Sequence, residues 1–288
     1  MRLKIGLIHT GIREDERMII QQAKEINNLE LDPIDLRKTV LAFEHRKHYQ
    51  KYHLILQRCM AGNKADQALW YFQEIGLTVV NDLRLSFLCK NKFATSLRLA
   101  QTNIPTPKFA TAFTEESVTR AIQKLDGFPI IIKPIAGTSW GRLMGKINDQ
   151  DSLEMILEHK NALGVNHQAF YLQKYIEKPQ RDIRAYLIKD QIVCAVYREA
   201  SHWITNTARG SKLKSCPITQ EMRKLGRQIY HAFGHGLMAI DFFETQTGLT
   251  VNEINHTMEF KNVVKETKVN LAKLILEYCV EKIQASKQ

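Results

Sequence analysis

The 288-residue sequence lacks the marks of several special classes of protein. It contains only five cysteines, which are scattered and never form a Cys-x-x-Cys pair, so it indicates neither a disulfide framework nor a zinc site. No apolar run approaches the ~18 to 20 residues of a membrane span, and the N-terminal stretch lacks the apolar core of a signal peptide. We therefore expect a soluble, cytoplasmic protein with reduced, mostly buried thiols and no membrane partner.

Acidic residues are also in deficit. The 30 Asp and Glu against 41 Lys and Arg leave a formal net charge of +11, which attracts polyanions over long distances. The basic residues are spread along the chain without a basic tail, a zinc-finger spacing or an RNA-stacking motif, which argues against nucleic acid as the partner. Phosphate-bearing substrates and acidic proteins are the partners that this charge favours.

The spacing of apolar residues predicts two kinds of architecture. Over the first eighty or so residues, short apolar runs alternate with helical patterns, which is typical of a small α/β layer with a parallel sheet. A helix-compatible stretch at about 90–102 ends at the strand-breaking residues 104–107, where we expect a boundary. From residue 128 strands dominate, which favours an antiparallel or mixed sheet. Further helices are predicted after Thr114, near 151–160, after Thr219 and at about 268–284.

A lysine leaves a very apolar strand in the run Ile-Ile-Lys-Pro. Lys133 is followed by a loop that contains Gly137, Thr138, Ser139 and Gly141. The backbone amides of such a loop and the ammonium group together suit phosphate oxygens, although the order of residues is not that of a Walker A loop. The alternative is a hairpin turn with a solvated lysine.

Three side chains with oxygen donors fall on two consecutive strands near the C-terminus. Residues two apart point to the same face of a strand, so Glu253 and Asn255 face the same way, and an adjacent strand can bring Asp241 beside them. Hard oxygen ligands of this kind suit magnesium. The alternative is a strand whose polar residues line a wet face.

Two arginines lie in polar surroundings between these motifs. Arg184 is on a strand, and Arg209 is with Asn206 in a polar loop. A guanidinium group binds a carboxylate or phosphate through a fork of hydrogen bonds and keeps its charge at working pH. The pair can therefore clamp a transferring phosphoryl group or an acidic substrate. The alternative is that both are ordinary surface arginines.

Four long strings of the sequence resemble the ATP-grasp carboxylate-amine ligases and, among them, the RimK/LysX family. They follow a lysine at position 92 and read KPIAGTSWGR, YLQKYIEKPQRDIR, HWITNTARG and VNEINHTMEFKN. The resemblance spans almost the whole chain and implies an ATP-grasp fold of the α/β (α+β) class. It implies a small α/β pre-ATP-grasp domain over 1–88 and an ATP-grasp domain over 89–288. In the latter, a nucleotide-covering lobe (89–170) and a magnesium and substrate lobe (171–288) enclose the ATP site.

The resemblance also assigns residues to the nucleotide. Those implied at ATP are Lys92, Lys133, Gly137, Ser139, Trp140, Gly141, Lys174, Tyr175, Asp182 and Asn206. Within this set Lys92, Lys133 and Asn206 belong to the phosphates, and the 137–142 loop closes over them. Lys174 and Tyr175 are implied to contact the adenine, and Asp182 is implied to contact the ribose.

Metal-binding and catalytic roles follow from the same resemblance. Asp241, Glu253 and Asn255 are implied to hold magnesium, for which manganese can substitute. The residues implied in catalysis are Arg184, Arg209 and Asn206, with the two arginines steadying an acyl phosphate. Two departures from the family pattern fall nearby: the 137–141 loop is one residue longer, and Ser211 stands where the pattern has glycine. Neither change removes a charged group, so activity is expected.

The reaction implied by the resemblance is ATP-dependent amide formation through an acyl phosphate. The member type that the sequence resembles most joins the amino group of 2-aminoadipate to the C-terminal glutamate side-chain carboxyl of an acidic amino-group carrier protein of the LysW type, in lysine biosynthesis. We expect the enzyme to be a homo-oligomer, either a dimer or a tetramer. One alternative is a RimK-like ligase that adds glutamate or another amino acid to a protein or peptide. A second is a nucleotide-binding regulator on an ATP-grasp scaffold.

Overall fold

The N-terminal part of the chain is built around a parallel sheet. The computed structural model describes residues 2–135, 143–164, 169–206 and 210–286. Its first elements are β1 (Leu3–His9), α1 (Glu14–Lys24), β2 (Leu29–Asp35), α2 (Arg46–Tyr49), β3 (Leu54–Gln57), α3 (Gly62–Glu74) and β4 (Val79–Val80). The strands pair in the order β2-β1-β3-β4, and every pair is parallel. The parallel sheet expected from the alternating pattern is therefore present.

A four-stranded antiparallel sheet with helices forms the next part. Its elements are α4 (Leu83–Lys90), α5 (Lys92–Gln101), β5 (Phe109–Ala112), α6 (Glu115–Lys124), β6 (Ile130–Lys133), β7 (Gly145–Ile147), α7 (Gln150–Ala162) and β8 (Phe170–Lys174). The strand order is β5-β8-β6-β7. The helical stretch expected at 90–102 is broken at Asn91, whose side chain caps α5 by accepting from Ala94 N.

The last part is a five-stranded antiparallel sheet with three helices. Its elements are β9 (Arg181–Ile188), β10 (Gln191–Glu199), β11 (Lys212–Ser215), α8 (Gln220–Phe233), β12 (Leu237–Thr245), β13 (Gly248–Asn255), α9 (Lys261–Thr267) and α10 (Leu271–Ala285). The order is β11-β10-β9-β12-β13. The helix expected at 268–284 begins instead at Leu271, because Lys268 adopts a left-handed conformation with φ of 58° and ends α9.

A shared core joins the N-terminal sheet to the five-stranded sheet. Ile5 and Leu7 of β1 pack in one buried cluster with Tyr186 of β9, Val196 of β10 and Ile275 of α10. Burial of such side chains contributes about 1.5 to 3 kcal/mol each. This contact fixes the carboxyl ends of β1 and β3 beside the five-stranded sheet.

Two further observations concern the cysteines and the helices of the described residues. All five cysteines are buried and free of disulfides, as expected. None of the helices in the described ranges is both long and apolar enough to cross a membrane.

Candidate active site

A cavity of about 340 Å³ lies where the three sheets meet. It is lined by residues from all three parts of the chain, including Cys59 and Met60, which follow β3. The sequence-predicted site residues that line it are Lys92, Lys133, Arg184, Asn206, Glu253 and Asn255. The fold therefore gathers these six side chains, although they are far apart in the sequence.

Lys133 lies at one end of the cavity, at the last position of β6. Its side chain is 5% exposed, and its Nζ donates to Gln173 Oε1 at 2.6 Å and to Asn252 Oδ1 at 2.9 Å. Burial lowers the pKa of Lys133 to about 8, although the Glu253 carboxylate opposes this change. Lys92 is also buried, with its Nζ 3.8 Å from Glu253 Oε1. This end of the cavity therefore combines two lysines with neutral amide oxygens.

A bulge in β13 adds a side chain that alternation alone does not predict. The register against β12 shifts between the pairs Asp241–Glu253 and Phe242–Val251, so Asn252 has no partner across the ladder. As a result Asn252, Glu253 and Asn255 all line the cavity.

The side chains expected to hold magnesium differ in their access to the cavity. Glu253 keeps 31% of its side chain exposed, and Asn255 has a buried amide nitrogen without a hydrogen-bond partner among the described residues. Asp241 is directly opposite Glu253, but it is only 3% exposed. Carboxylate and amide oxygens are the donors that Mg²⁺ prefers. Glu253 and Asn255 therefore fit a magnesium site, and Asp241 lies behind them.

Asp241 belongs to a buried cluster of opposite charges. Its oxygens accept from Arg184 Nε at 2.7 Å and from the Arg184 terminal nitrogen at 2.8 Å, and Arg198 approaches to 3.1 Å. Burial by itself raises the pKa of Asp241, but the charges of Arg184 and Arg198 outweigh it and hold the pKa below its usual value. The carboxyl group is therefore ionised, and Arg184 is fixed beside the cavity.

Arg198 is the charged residue of this cluster that the sequence reasoning missed. It is the next-to-last residue of β10, is 1% exposed, and its guanidinium donates to both oxygens of Asp182 at 2.6 and 2.8 Å. Asp182 also accepts from the Thr205 hydroxyl, while Lys178 donates to that hydroxyl at 2.8 Å. The signal was a lone arginine at the end of a buried strand, but its partners come from other strands. Asp182, expected at the ribose, is 2% exposed and thus anchors the segment before Asn206.

The remaining expected residues lie elsewhere or outside the described ranges. Lys174 Nζ donates to the carbonyl oxygens of Asp126 and Gly127 at 3.0 Å each, and the ring of Tyr175 lies 3.9 Å from Lys146 Nζ. Neither residue is among the described ones that line the cavity. The other expected residues, Gly137, Ser139, Trp140, Gly141 and Arg209, lie outside the described residues.

The end of the cavity away from Lys133 is formed by residues 256–261, which we call the distal wall. It follows Asn255, the last residue of β13, directly, and a strand rises by about 3.3 Å per residue, so His256 lies at most about 13 Å along the chain from Asn252. His256, Thr257, Glu259, Phe260 and Lys261 of the wall line the cavity. Burial lowers the pKa of His256 to about 3, so the imidazole is neutral.

Solved structures share the architecture of this chain. The chain superposes on a RimK domain ATP-grasp protein from Sphaerobacter thermophilus with a TM-score of 0.80 at 20% identity, covering 96% of this chain and 98% of that one. D-alanine–D-alanine ligase from Bacillus anthracis gives a TM-score of 0.73 at 17% identity, covering 99% and 98%. These likenesses define the fold as the ATP-grasp fold.

Family models and relatives narrow this class. A model described as the RimK-like ATP-grasp domain matches residues 89–279, and one described as the LysX preATP-grasp domain matches 5–86. The chain belongs to the RimK-like ATP-grasp family. It is similar to alpha-aminoadipate–LysW ligase LysX from Saccharolobus solfataricus, with 35% identity over 79% of this chain and 83% of that protein. The chain is also 33% identical to the LysX of Sulfolobus acidocaldarius, over 92% of this chain and 97% of that protein.

Proposed function

We propose that the chain joins the amino group of 2-aminoadipate to the C-terminal glutamate side-chain carboxyl of an acidic carrier protein of the LysW type, with ATP consumed, in lysine biosynthesis. The observation that carries the chemistry is the cavity itself, in which the buried ammonium of Lys133 and the oxygen donors of Glu253 and Asn255 face one space. The similarity to relatives named for this ligation supports the choice of substrates. Five buried, free cysteines support a cytoplasmic location.

The reaction takes two steps. The carrier carboxylate first attacks the γ-phosphorus of ATP, so that ADP leaves and an acyl phosphate forms. The amino group of 2-aminoadipate then attacks the acyl carbon, and inorganic phosphate leaves. Lys133 and Lys92 hold the phosphate oxygens, and Arg184 steadies the transferring group from its fixed position on β9. The cavity lies between the sheets, so substrates bound there would be partly shielded from water that hydrolyses the intermediate.

We propose that Glu253 and Asn255 hold magnesium, with Asp241 behind them and paired with Arg184; the ion would supply positive charge to the phosphoryl oxygens when bound. Asn206 and Arg209 are proposed to contact the phosphoryl group near the magnesium ion. Contacts to the adenosine moiety are proposed for Lys174, Tyr175 and Asp182. Residues 137–142 are proposed to cover the phosphates. The preference for Mg²⁺ over Mn²⁺ is measurable from the turnover with each ion.

A single assay tests this function. Purified enzyme is incubated with ATP, Mg²⁺, a LysW-type carrier and a panel of amino acids, and both phosphate release and the mass of the carrier are measured. The expected product is the carrier enlarged by one 2-aminoadipate residue. ATP binding without any product in the panel would instead favour a nucleotide-binding regulator.

A second candidate is addition of glutamate. The chain is also 27% identical, over 97% of its length and 99% of the relative, to glutamate–LysW ligase ArgX from Sulfurisphaera tokodaii. The two functions differ only in the amine that is accepted, so the ratio of kcat/KM for glutamate and 2-aminoadipate separates them.

We also propose that the enzyme is a homo-oligomer, either a dimer or a tetramer. Large apolar side chains are exposed on the N-terminal part and on α4, including Phe43 (66% exposed), Trp70 (53%) and Phe87 (62%). Such side chains are candidates for a subunit interface. Light scattering coupled to size-exclusion chromatography measures the mass in solution.

A further inference from the structure

The distal wall is held mainly by hydrogen bonds to the N-terminal part of the chain. Thr257 Oγ1 donates to Gln57 Oε1 at 3.0 Å, and the backbone amides of Phe260 and Lys261 donate to Asp15 Oδ1 at 2.5 and 2.8 Å. Arg13 donates to the Glu259 carboxylate at 2.7 Å. These contacts span up to 246 residues of sequence, so the wall depends on how the two parts are packed.

Two further contacts complete the support of the wall. The Asn81 amide donates to His256 O at 2.6 Å, and the Tyr186 hydroxyl donates to Glu259 O at 2.6 Å. Of these supporting residues, only Tyr186 lines the cavity. Asp15, Arg13 and Asn81 act on the cavity through the wall, and Gln57 also donates to the carbonyl oxygen of Cys59, a lining residue, at 2.7 Å.

The carboxylate of Asp15 is built into this position. It lies in the first turn of α1 and is 2% exposed. The neighbouring Glu16 forms ion pairs with Arg13 and Arg58. A hydrogen bond to an ionised acceptor contributes about twice as much as a neutral one. Asp15 therefore fixes two consecutive amides of the wall more firmly than water would.

We propose that Asp15 and Gln57 are positioning residues for the substrate that reacts with the phosphorylated carboxylate, or for that carboxylate itself, through the distal wall. The wall lines the same cavity but begins four residues beyond Asn252, and it is Asn252 that contacts Lys133, where the nucleotide phosphates are proposed to lie. Displacing the wall consequently changes the site of the second and third substrates more than the ATP site. The identity of those substrates rests on the proposed function, but the role of Asp15 and Gln57 does not.

Four variants separate this role from a general effect on folding. Asp15→Ala removes the acceptor, whereas Asp15→Asn keeps an oxygen that can accept from both amides. Gln57→Met keeps the length of the side chain and removes the amide that receives Thr257. Gln22→Ala is the matched control, because Gln22 accepts from Asn270 at 2.7 Å and links α1 to α10 without contacting the wall.

Steady-state kinetics and hydrogen exchange give the readouts. We expect Asp15→Ala and Gln57→Met to raise KM for the carrier or the amino acid by about tenfold, the effect of losing one or two buried hydrogen bonds, while KM for ATP changes less than twofold. Asp15→Asn and Gln22→Ala stay within about threefold of wild type. Amide exchange in a peptide that covers 256–263 becomes faster in Asp15→Ala and is unchanged in Gln22→Ala.

Three results would overturn the proposal: equal changes in KM for ATP and for the other substrates, no difference between Asp15→Ala and Asp15→Asn, or unchanged exchange in the wall of Asp15→Ala. Hydrogen exchange needs no turnover, so it decides the support of the wall even for a variant without activity. Absence of ligation by the wild-type enzyme would contradict the proposed substrates and would leave the exchange result standing.

Discussion

Replacing Lys133 with methionine tests whether this buried lysine binds phosphate. Lys133→Met keeps the packing of the stem and removes the ammonium group. The folded protein holds the pKa of this group at about 8 rather than 10.5, so burying the charged lysine costs about 3 kcal/mol near neutral pH. The substitution relieves that cost, but it leaves the Gln173 and Asn252 oxygens without their donor, at about 1 to 3 kcal/mol each. These effects oppose each other, so the melting temperature of the ligand-free protein should change little.

The same substitution should only weaken the binding of an ATP analogue. A non-hydrolysable ATP analogue at a hundred times its Kd stabilises the wild-type protein by about 2.7 kcal/mol. Loss of a contact between a charged donor and phosphate costs about 1.5 to 3 kcal/mol, which raises Kd by about 10- to 100-fold. At the same concentration, the analogue should therefore stabilise Lys133→Met by about 1.4 kcal/mol or less.

The same lysine predicts a dependence on pH. Between about pH 8 and 10.5 the unfolded chain still binds the Lys133 proton and the folded protein has released it, so the ligand-free protein becomes more stable as the pH rises. Phosphate favours the protonated form, so stabilisation by the analogue should decline above about pH 8. Lys133→Met should show neither trend.

Thermal melts with and without the analogue, in the presence of Mg²⁺ and at several pH values, check both expectations. Lys108→Met is a suitable control, because Lys108 belongs to the same part of the chain and its side chain is 63% exposed. If the analogue stabilises Lys133→Met as strongly as wild type, Lys133 does not bind phosphate and the cavity is oriented differently.

Three further predictions concern metal binding, stability and the partner. Glu253→Ala should lower turnover about a hundredfold while leaving folding almost unchanged, because phosphate charge is less neutralised; activity at saturating Mg²⁺ and thermal melts measure this. Arg198→Met should lower the free energy of unfolding by about 3 to 5 kcal/mol, measured with urea, because Asp182 and Asp241 stay buried without their shared cation. Raising ionic strength should raise KM for an acidic carrier far more than KM for the free amino acid, because a net charge of +11 steers only the former over long distances.

Each of these three has a result that contradicts it. Near-normal turnover of Glu253→Ala would remove this residue from the metal site. Unchanged urea unfolding of Arg198→Met would show that the buried carboxylates find other partners. Equal sensitivity of both KM values to salt, or ligation of free amino acids to each other without a carrier, would contradict docking of an acidic protein.

Local patterns in the sequence predicted much of what surrounds the cavity. The alternation in β12 and β13 placed Glu253 and Asn255 on one face and brought Asp241 opposite them, as the register shows. The apolar run before Lys133 predicted a buried strand, and all four residues of β6 are buried. Both predictions depend only on neighbouring residues and on the period of a strand.

Other features of the site depend on packing between distant segments. The bulge at Asn252 breaks alternation, and nothing in the composition of β13 marks its position. Arg198, which the sequence analysis did not single out, lies between two carboxylates, Asp182 of β9 and Asp241 of β12. The contact between Asp15 and the distal wall joins residues 245 positions apart. Pairings of this kind follow from the arrangement of the sheets, which single-residue patterns do not encode.

The cations in the cavity therefore fall into two kinds with different consequences. Arg184 and Arg198 form ion pairs with Asp241 and Asp182, so their charges are largely compensated before any ligand binds. Removing one arginine would leave a buried carboxylate without its cation, which destabilises the fold. Lys133 instead donates to two neutral amide oxygens, and among the described residues it forms no ion pair with a carboxylate. Its charge is disfavoured by burial in the ligand-free protein and is stabilised when an anion approaches. Arg198 accordingly contributes mainly to the stability and shape of the site, Arg184 is held in place to contact the transferring group, and Lys133 contributes to the affinity for phosphate.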